Sequence, residues 1–529
     1  MKKLTRAFAL LLAVLMLACT AVGMVSCGDN DTPATTTKNP GSSTTTPGSR
    51  HWINDYDPSV NAGKTLRIAI NDYAMTQSAE PSTAYIKGAD DTGSDALMSF
   101  VNERNENVAV SLGLDPDTGV TYTLHEDQAD KAVEWLRTNI STQNAYDIVI
   151  DEEHGLVRAM LNGWLANAID STDGTSYINL DADGWMKDYT LGMTLNHGQV
   201  YMLGGDYTMD LIRYAFVMYM NSTYYKEDMN QNLEDFYGVI NGYDWDWNYF
   251  INIVQTAQTS TTGSLTTEDV WSFLSGSMIY RAAIYSSGVD VFDFDENGTP
   301  SYVNDPTILH SFVSKVIELQ EQKGVSFNAA DVFTRFTNGK ALFYAGCYLC
   351  ELESQPIQDM QKYNVLVIPY PVFKADEDTV VTHYNTLISD NAKVAAIPYM
   401  SNQFSLATAY IQLSMEDSAD IMDYYYDRYL KGTTSKDEGN AAIIDKIKDG
   451  ILSPTVFLFD NYVARTYHKD EKAAVYDFLK VCCTNGTNDF SNQWASYTPA
   501  LSGSSEASVK RYELSKLIED FLKIPQSQH

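Results

Sequence analysis

The sequence predicts an α/β fold, and three features predict it. "TLRIAI" (residues 65–70) and "YDIVID" (residues 146–151) are short apolar runs of strand length, the second apolar enough to be covered on both faces. Between them lie stretches with helical spacing. Strand, helix, strand, helix, strand is the order that builds a parallel sheet.

The elements follow in turn. Leu97, Phe100 and Val101 fall on one helical face behind Ser94 and Asp95, which read as the cap. "NVAVSL" (107–112) reads as a strand. "QADKAVEWLRTNIS" (128–141) places Val133, Leu136 and Ile140 on one face of a helix that leads into "YDIVID". In such sheets ligands approach the carboxyl ends of the strands, here Asn71-Asp72-Tyr73 and Asp151-Glu152.

A second α/β segment follows. "AFVMYMN" (215–221) is strand-like. "DPTILHSFVSKVIELQEQKG" (305–324) is a punctuated helix: Asp305 caps it, Pro306 takes the first turn, Ile308, Phe312, Val316 and Leu319 form the inner stripe, and Gly324 ends it. "TRFTNGKALFYAG" (334–346) gives a short helix, a turn at Asn338-Gly339 and a strand, and "YNVLVIPYP" (363–371) gives another buried strand. The remainder reads as mostly helical, closing on a stripe of Leu514, Leu517, Ile518 and Phe521.

The N-terminus sets the compartment. Lys2, Lys3 and Arg6 precede the apolar run "AFALLLAVLMLACTAVGMV", with Ser26 directly before Cys27. That is the layout of a secretory leader. Cys27 is the lipidation candidate, with Cys19 behind Ala18 a second one; an uncleaved membrane helix is the competing reading of the same length. The Thr/Ser/Pro-rich stretch after Cys27 has almost nothing to bury and reads as a flexible tether.

Charge narrows the partners. Asp and Glu number 69 against 36 Lys and Arg, a net charge of −33, which repels nucleic acid and anionic surfaces. Solubility of an exported protein accounts for the same charge. No cofactor or metal is expected. Cys347-x-x-Cys350 has no second pair at metal spacing, and vicinal Cys482-Cys483 cannot easily complete a site, so buried or loosely paired thiols are expected. "AGKTLR" ends like a phosphate loop but has Pro58 where glycine is required. "DFDENG" (293–298) starts like a calcium loop yet reaches Asn304 where a glutamate is needed, so it reads as a hairpin turn. "DEEH" (151–154) cannot converge all four side chains on one metal. No spacing singles out catalytic residues.

Aromatic residues beside carboxylates and amides do stand out in a chain with 35 Tyr and 8 Trp. Sugar C–H faces stack on rings, and hydroxyls need charged or amide partners in a partly dry cleft. The ligand-binding candidates on this ground are Tyr73, Asp151, Glu152, Trp185, Asp206, Tyr207, Trp245, Trp247, Tyr348 and Tyr384. Ordinary core packing competes for each, most directly for Trp245 and Trp247, because "DWDWNYF" also reads as a helix start.

The ordered set "YDIVI", "LNGWLANAID", "WMKDYTLGMTLNHGQVYMLGGD", "FVMYMN", "VFDFDENGTPSYVNDP", "FTNGKALFYAG" and "YNVLVIPYP", behind a lipoprotein start, resembles the family 1 extracellular solute-binding proteins of bacterial ABC importers. Many members of that family bind sugars. The resemblance implies a two-lobed, periplasmic-binding-protein-like (type II) fold with a ligand cleft between lobes. On that reading residues 1–26 are the signal peptide and 27–60 the tether. Residues 64–195 plus 325–375 form one lobe, and 196–324 plus 376–525 a second, mostly helical one. Hinges are expected at residues 196–204 and after Pro369 and Pro371. The implied protein is a non-enzymatic monomer, lipid-anchored on the extracellular face of the cytoplasmic membrane. It would hand a small polar ligand, an oligosaccharide, to permease subunits. The alternative is a secreted carbohydrate-active enzyme.

Overall fold

The computed structural model describes residues 55–73, 81–89, 95–125, 135–136, 146–171, 175–193, 198–257, 269–294, 300–303, 305–327, 331–360, 364–431, 438–451, 475–485, 490–491 and 494. The expected leader with Cys19 and Cys27, most of the expected tether, the expected helix at 128–141 apart from Trp135 and Leu136, and the terminal stripe at 514–521 lie outside them. Among the described residues no helix is long and apolar enough to cross a membrane.

The strands in chain order are β1 (Leu66–Asn71), β2 (Val120–His125), β3 (Ile148–Glu152), β4 (Phe216–Asn221), β5 (Trp271–Ser275), β6 (Phe292–Phe294), β7 (Pro300–Tyr302), β8 (Val325–Ser326), β9 (Ala341–Tyr348), β10 (Val365–Ile368) and β11 (Lys393–Ala396). They form two mixed sheets in an α/β fold. The first has the order β11-β3-β1-β2, with β1 parallel to both neighbours and β11 antiparallel to β3. The second has the order β10-β4-β9-β5-β8, parallel at β5–β9 and β5–β8 and antiparallel across β4. β6 and β7 pair as a hairpin around the "DFDENG" stretch, whose turn residues lie outside the described ones.

The chain passes from the first sheet to the second after β3, returns with β11, and leaves again. Sheet membership therefore differs from the expected grouping. β8, β9 and β10, expected with residues 64–195, pair with β4 and β5 instead, and β11 joins β3. The reason lies in β9, which is apolar on both faces and needs a strand on each edge; β4 and β5 supply them.

Helices that matter below are α1 (Ser82–Lys87), α2 (Ala96–Ser111), α3 (Glu153–Leu161), α4 (Asp210–Arg213), α5 (Leu233–Asn241), α6 (Trp247–Thr256), α7 (Ile279–Ser286), α8 (Thr307–Gln320), α9 (Phe404–Glu416) and α10 (Glu438–Asp449). Asp95 caps α2, accepting from the amides of Leu97 at 2.9 Å and Met98 at 3.3 Å. α2 runs through "NVAVS", so the strand expected there is helix. Val101, Arg104 and Val108 continue one buried face at helical spacing, and the strand lies further on, at β2. In α8 Asp305 binds the Thr307 amide at 3.1 Å, as expected. Ile308 is exposed, however, and the inner stripe is Leu309, Phe312, Val313, Val316 and Leu319.

Residues 56–60, expected as the end of the tether, are folded, and the turn they form runs on to Asn61. Tyr56 packs edge-on against Tyr177, and buried Asn61 donates to the Leu112 carbonyl at 2.9 Å. Cys347 and Cys350 carry free, buried thiols, and burial pushes both thiol pKa values up.

The two passages between the sheets run side by side. Phe216 donates its amide to the Leu387 carbonyl at 2.9 Å, Ser389 donates to the Tyr214 carbonyl at 3.0 Å, and Ala215 bridges Ile388 in antiparallel sense. The first passage thus lies between Gly205 and Phe216, beyond the expected hinge at 196–204. Leu203 is still held in the first sheet, exchanging both backbone bonds with Ala395.

Candidate functional site at the carboxyl edge of the first sheet

Because β2 and β3 flank β1 on opposite sides, the connections diverge between β1 and β3. In sheets of this kind ligands approach at such a point of divergence, here the carboxyl ends of β1 and β3. β11 starts at the same edge, with Lys393 opposite Glu152 and Val394 opposite Asp151. The Leu203–Ala395 bridge adds the next chain, and two residues further along it Gly205 bridges Trp185. One edge therefore carries Asn71, Asp151, Glu152 and Lys393 in a row.

The row is tightly bonded. Asn71 Nδ2 donates to Asp151 Oδ1 at 2.7 Å, and Asn71 Oδ1 accepts the Tyr73 amide at 2.8 Å. Asn391 Nδ2 donates to Glu152 Oε2 at 2.8 Å. Lys393 Nζ reaches over the end of β3 to the Tyr73 carbonyl at 2.9 Å and Ser82 Oγ at 3.2 Å. Ser82 passes its own hydrogen to Asp210 Oδ2 at 2.8 Å, and that oxygen also accepts the Lys393 amide at 2.9 Å. Tyr189 donates to Glu153 Oε1 at 2.8 Å.

Burial dominates the electrostatics. It pushes the Glu152 carboxyl up to about 8; Lys393 pulls the other way and Asp151 adds to the rise. Burial raises Glu153 and Asp210 as well. Glu152 Oε1 is buried and has no hydrogen-bond partner among the described residues.

Groups from the second sheet and the returning passage face this edge. Arg281 on α7 donates to Asp390 Oδ1 at 2.7 Å. His154 Nδ1 lies 3.0 Å from the Asp390 carbonyl, which places the ring proton on that nitrogen. Tyr348, at the end of β9, packs against Phe216 at 4.8 Å and Tyr214 at 5.5 Å. Arg213 on α4 holds Glu353 through two bonds of 2.9 and 2.8 Å, and its guanidinium lies 4.1 Å over the Tyr85 ring of α1.

Of the residues expected from sequence, Tyr73, Asp151 and Glu152 come together, with Tyr348 buried nearby. Trp185 and Asp206 lie beside each other instead, joined through the Trp185–Gly205 bridge. Trp185 is half-buried and its indole N–H donates to Gln412 Oε1 at 3.1 Å. Asp206 is half-buried, its amide donating to the Gly184 carbonyl at 2.8 Å, and its carboxyl is pushed up to about 7 by its surroundings, with Lys448 opposing.

The other aromatic candidates are packing residues. Tyr207 is fully buried, with the Arg104 guanidinium 4.8 Å over its ring. Trp245 is also fully buried and donates to the Pro369 carbonyl at 2.9 Å, among Phe236, Phe250 and Phe343. Trp247 opens α6 behind the Asp246 cap and packs edge-on against Phe312. Tyr384 is buried and donates to the Ile240 carbonyl at 2.8 Å. For Trp245, Trp247 and Tyr384 the core reading holds because α5 and α6 must cover one face of the second sheet, and wide rings fill that space; Tyr207 fills the space between α2 and α9.

Ser82, Asp210, Asn391 and Lys393 were not singled out. The signal for Lys393 was present: a lone cation opens the apolar run "VAAI". Compared with protein-family models and with curated proteins, the chain matches none.

Proposed function

We propose that this chain is an extracytoplasmic solute-binding lipoprotein of an ABC importer. Anchored through Cys27 at the outer face of the cytoplasmic membrane, it captures a small polar ligand, an oligosaccharide, and passes it unmodified to permease subunits. Each sheet with its helices is one of two hinged halves. The ligand occupies the crevice between them, at the carboxyl edge of the first sheet.

One observation carries this reading. The two passages between the sheets are hydrogen-bonded to one another at Ala215–Ile388, beside the polar edge formed by Asn71, Asp151, Glu152 and Lys393. A paired crossing of this kind bends as a unit, and whatever binds at the edge then biases open against closed. The half-buried Trp185 bridges Gly205, next to half-buried Asp206, a ring and a carboxylate of the kinds a sugar uses. The sequence resemblance points the same way.

Melting-temperature and calorimetric titrations with oligosaccharide and peptide panels test it, with the ligand recovered and weighed by mass spectrometry. Saturable binding of one intact oligosaccharide per chain is expected. Released fragments would replace this reading with a carbohydrate-cleaving enzyme, and no response to any oligosaccharide would end it.

A further inference from the structure

The charge balance at the carboxyl edge narrows the ligand further, and the argument rests on the binding function proposed above. The cations there are engaged. Lys393 Nζ serves the Tyr73 carbonyl and Ser82, Arg213 serves Glu353, and Arg281 serves Asp390. Asp72, Asp151, Glu152 and Asp210 meanwhile share one edge of a chain whose net charge is −33, and of these Asp210 pairs with an arginine, Arg213 at 3.4 Å.

Glu152 is the decisive side chain. Its Oε2 accepts from Asn391 and lies 3.9 Å from His154 Nδ1, so the carboxylate points into the seam between β3 and the returning passage. Its Oε1 has no donor among the described residues. In the ionised carboxylate, a buried oxygen left in that state carries a desolvation penalty that a matching donor removes. A neutral hydroxyl would supply the donor and no charge. A cationic nitrogen supplies both, and so compensates an edge where acid outnumbers base.

We propose that the ligand carries a protonated amine that hydrogen-bonds Glu152 Oε1, and that its class is an aminated oligosaccharide, a saccharide with unacetylated amino groups. Burial raises the Glu152 carboxyl to about 8, so the incoming ammonium binds as that proton leaves to solvent and takes its place as the counter-charge. Opening of the two halves provides access.

Calorimetric titration of the full chain with three probes of equal length tests the proposal: a glucosamine oligomer, its fully N-acetylated counterpart and a glucose oligomer. The glucosamine oligomer is expected to bind at least about ten-fold more tightly than either neutral probe. Glu152→Gln, checked for an unchanged melting temperature, is expected to erase that preference. Equal or tighter binding of a neutral probe would overturn the amine inference and leave the binding function standing. Silence from all three, with the protein responding to other solutes, would overturn the saccharide class itself.

Discussion

Asn71 ends β1 and donates its side-chain amide to Asp151 Oδ1, 2.7 Å away at the end of β3. Both residues are fully buried, and the same amide group accepts the Tyr73 backbone N–H, so one side chain joins two strand ends and starts the following turn. Asn71→Leu removes a donor from a buried carboxylate. It is expected to lower unfolding stability by about 1–3 kcal/mol, measured by urea denaturation. A midpoint equal to that of the unaltered protein would show that the strand ends are held by something else.

Two tryptophans are expected to part company on substitution. Trp245 is enclosed by Phe236, Phe250 and Phe343. Its replacement by alanine should remove about 3–5 kcal/mol of stability. Trp185 is half-buried, so Trp185→Ala should weaken oligosaccharide binding while moving stability by about 1 kcal/mol or less. Paired denaturation and binding measurements check both; the reverse pattern would exchange their roles.

Stability should fall as pH rises through the neutral range. Glu152 is raised to about 8, and Asp206 and Glu351 to about 7. Each carboxyl therefore binds its proton more tightly in the folded chain than in the unfolded one, where carboxyls titrate near ~4. The native state holds the extra protons between about pH 4.5 and 8, so the contribution is complete at the acid end of that window and disappears toward the other. Urea midpoints at about pH 5.5, 7 and 8.5 are expected to decline in that order, and Glu351→Gln should flatten the slope. A midpoint that climbs with pH would contradict these assignments.

The Arg213–Glu353 pair offers a further test. Both groups are buried, joined by two hydrogen bonds, with Tyr425 donating to Glu353 at 2.6 Å. Removing one charge strands the other, so Arg213→Met alone should destabilise by about 3–5 kcal/mol. Arg213→Met combined with Glu353→Gln should recover part of that loss. A double variant no better than the single one would mean that the stranded charge is not what destabilises it.

The strands of both sheets were legible where burial covers both faces. "YDIVID", "AFVMYMN" and "NVLVIP" are apolar throughout and became β3, β4 and β10. β2 was not legible: "VTYTLH" is half exposed and lacks that apolar density, whereas "NVAVS" has it and is helix because its neighbours set a helical period. Pairing was hidden too, since which strand takes which neighbour depends on contacts hundreds of residues apart, such as Lys393 opposite Glu152. At the site, carboxylates at strand ends were readable from position alone. Rings were not, because a tryptophan beside an aspartate looks the same whether it meets a sugar or, like Trp247, follows a helix cap into the core.

Amide hydrogen exchange, with and without the oligosaccharide selected by the melting screen, tests the central claim most directly. Ligand binding is predicted to slow exchange in peptides covering residues 66–73, 148–154, 203–207 and 389–394 together, since these share one edge of the first sheet. Unchanged exchange in all four segments, with protection confined to other parts of the chain, would contradict it.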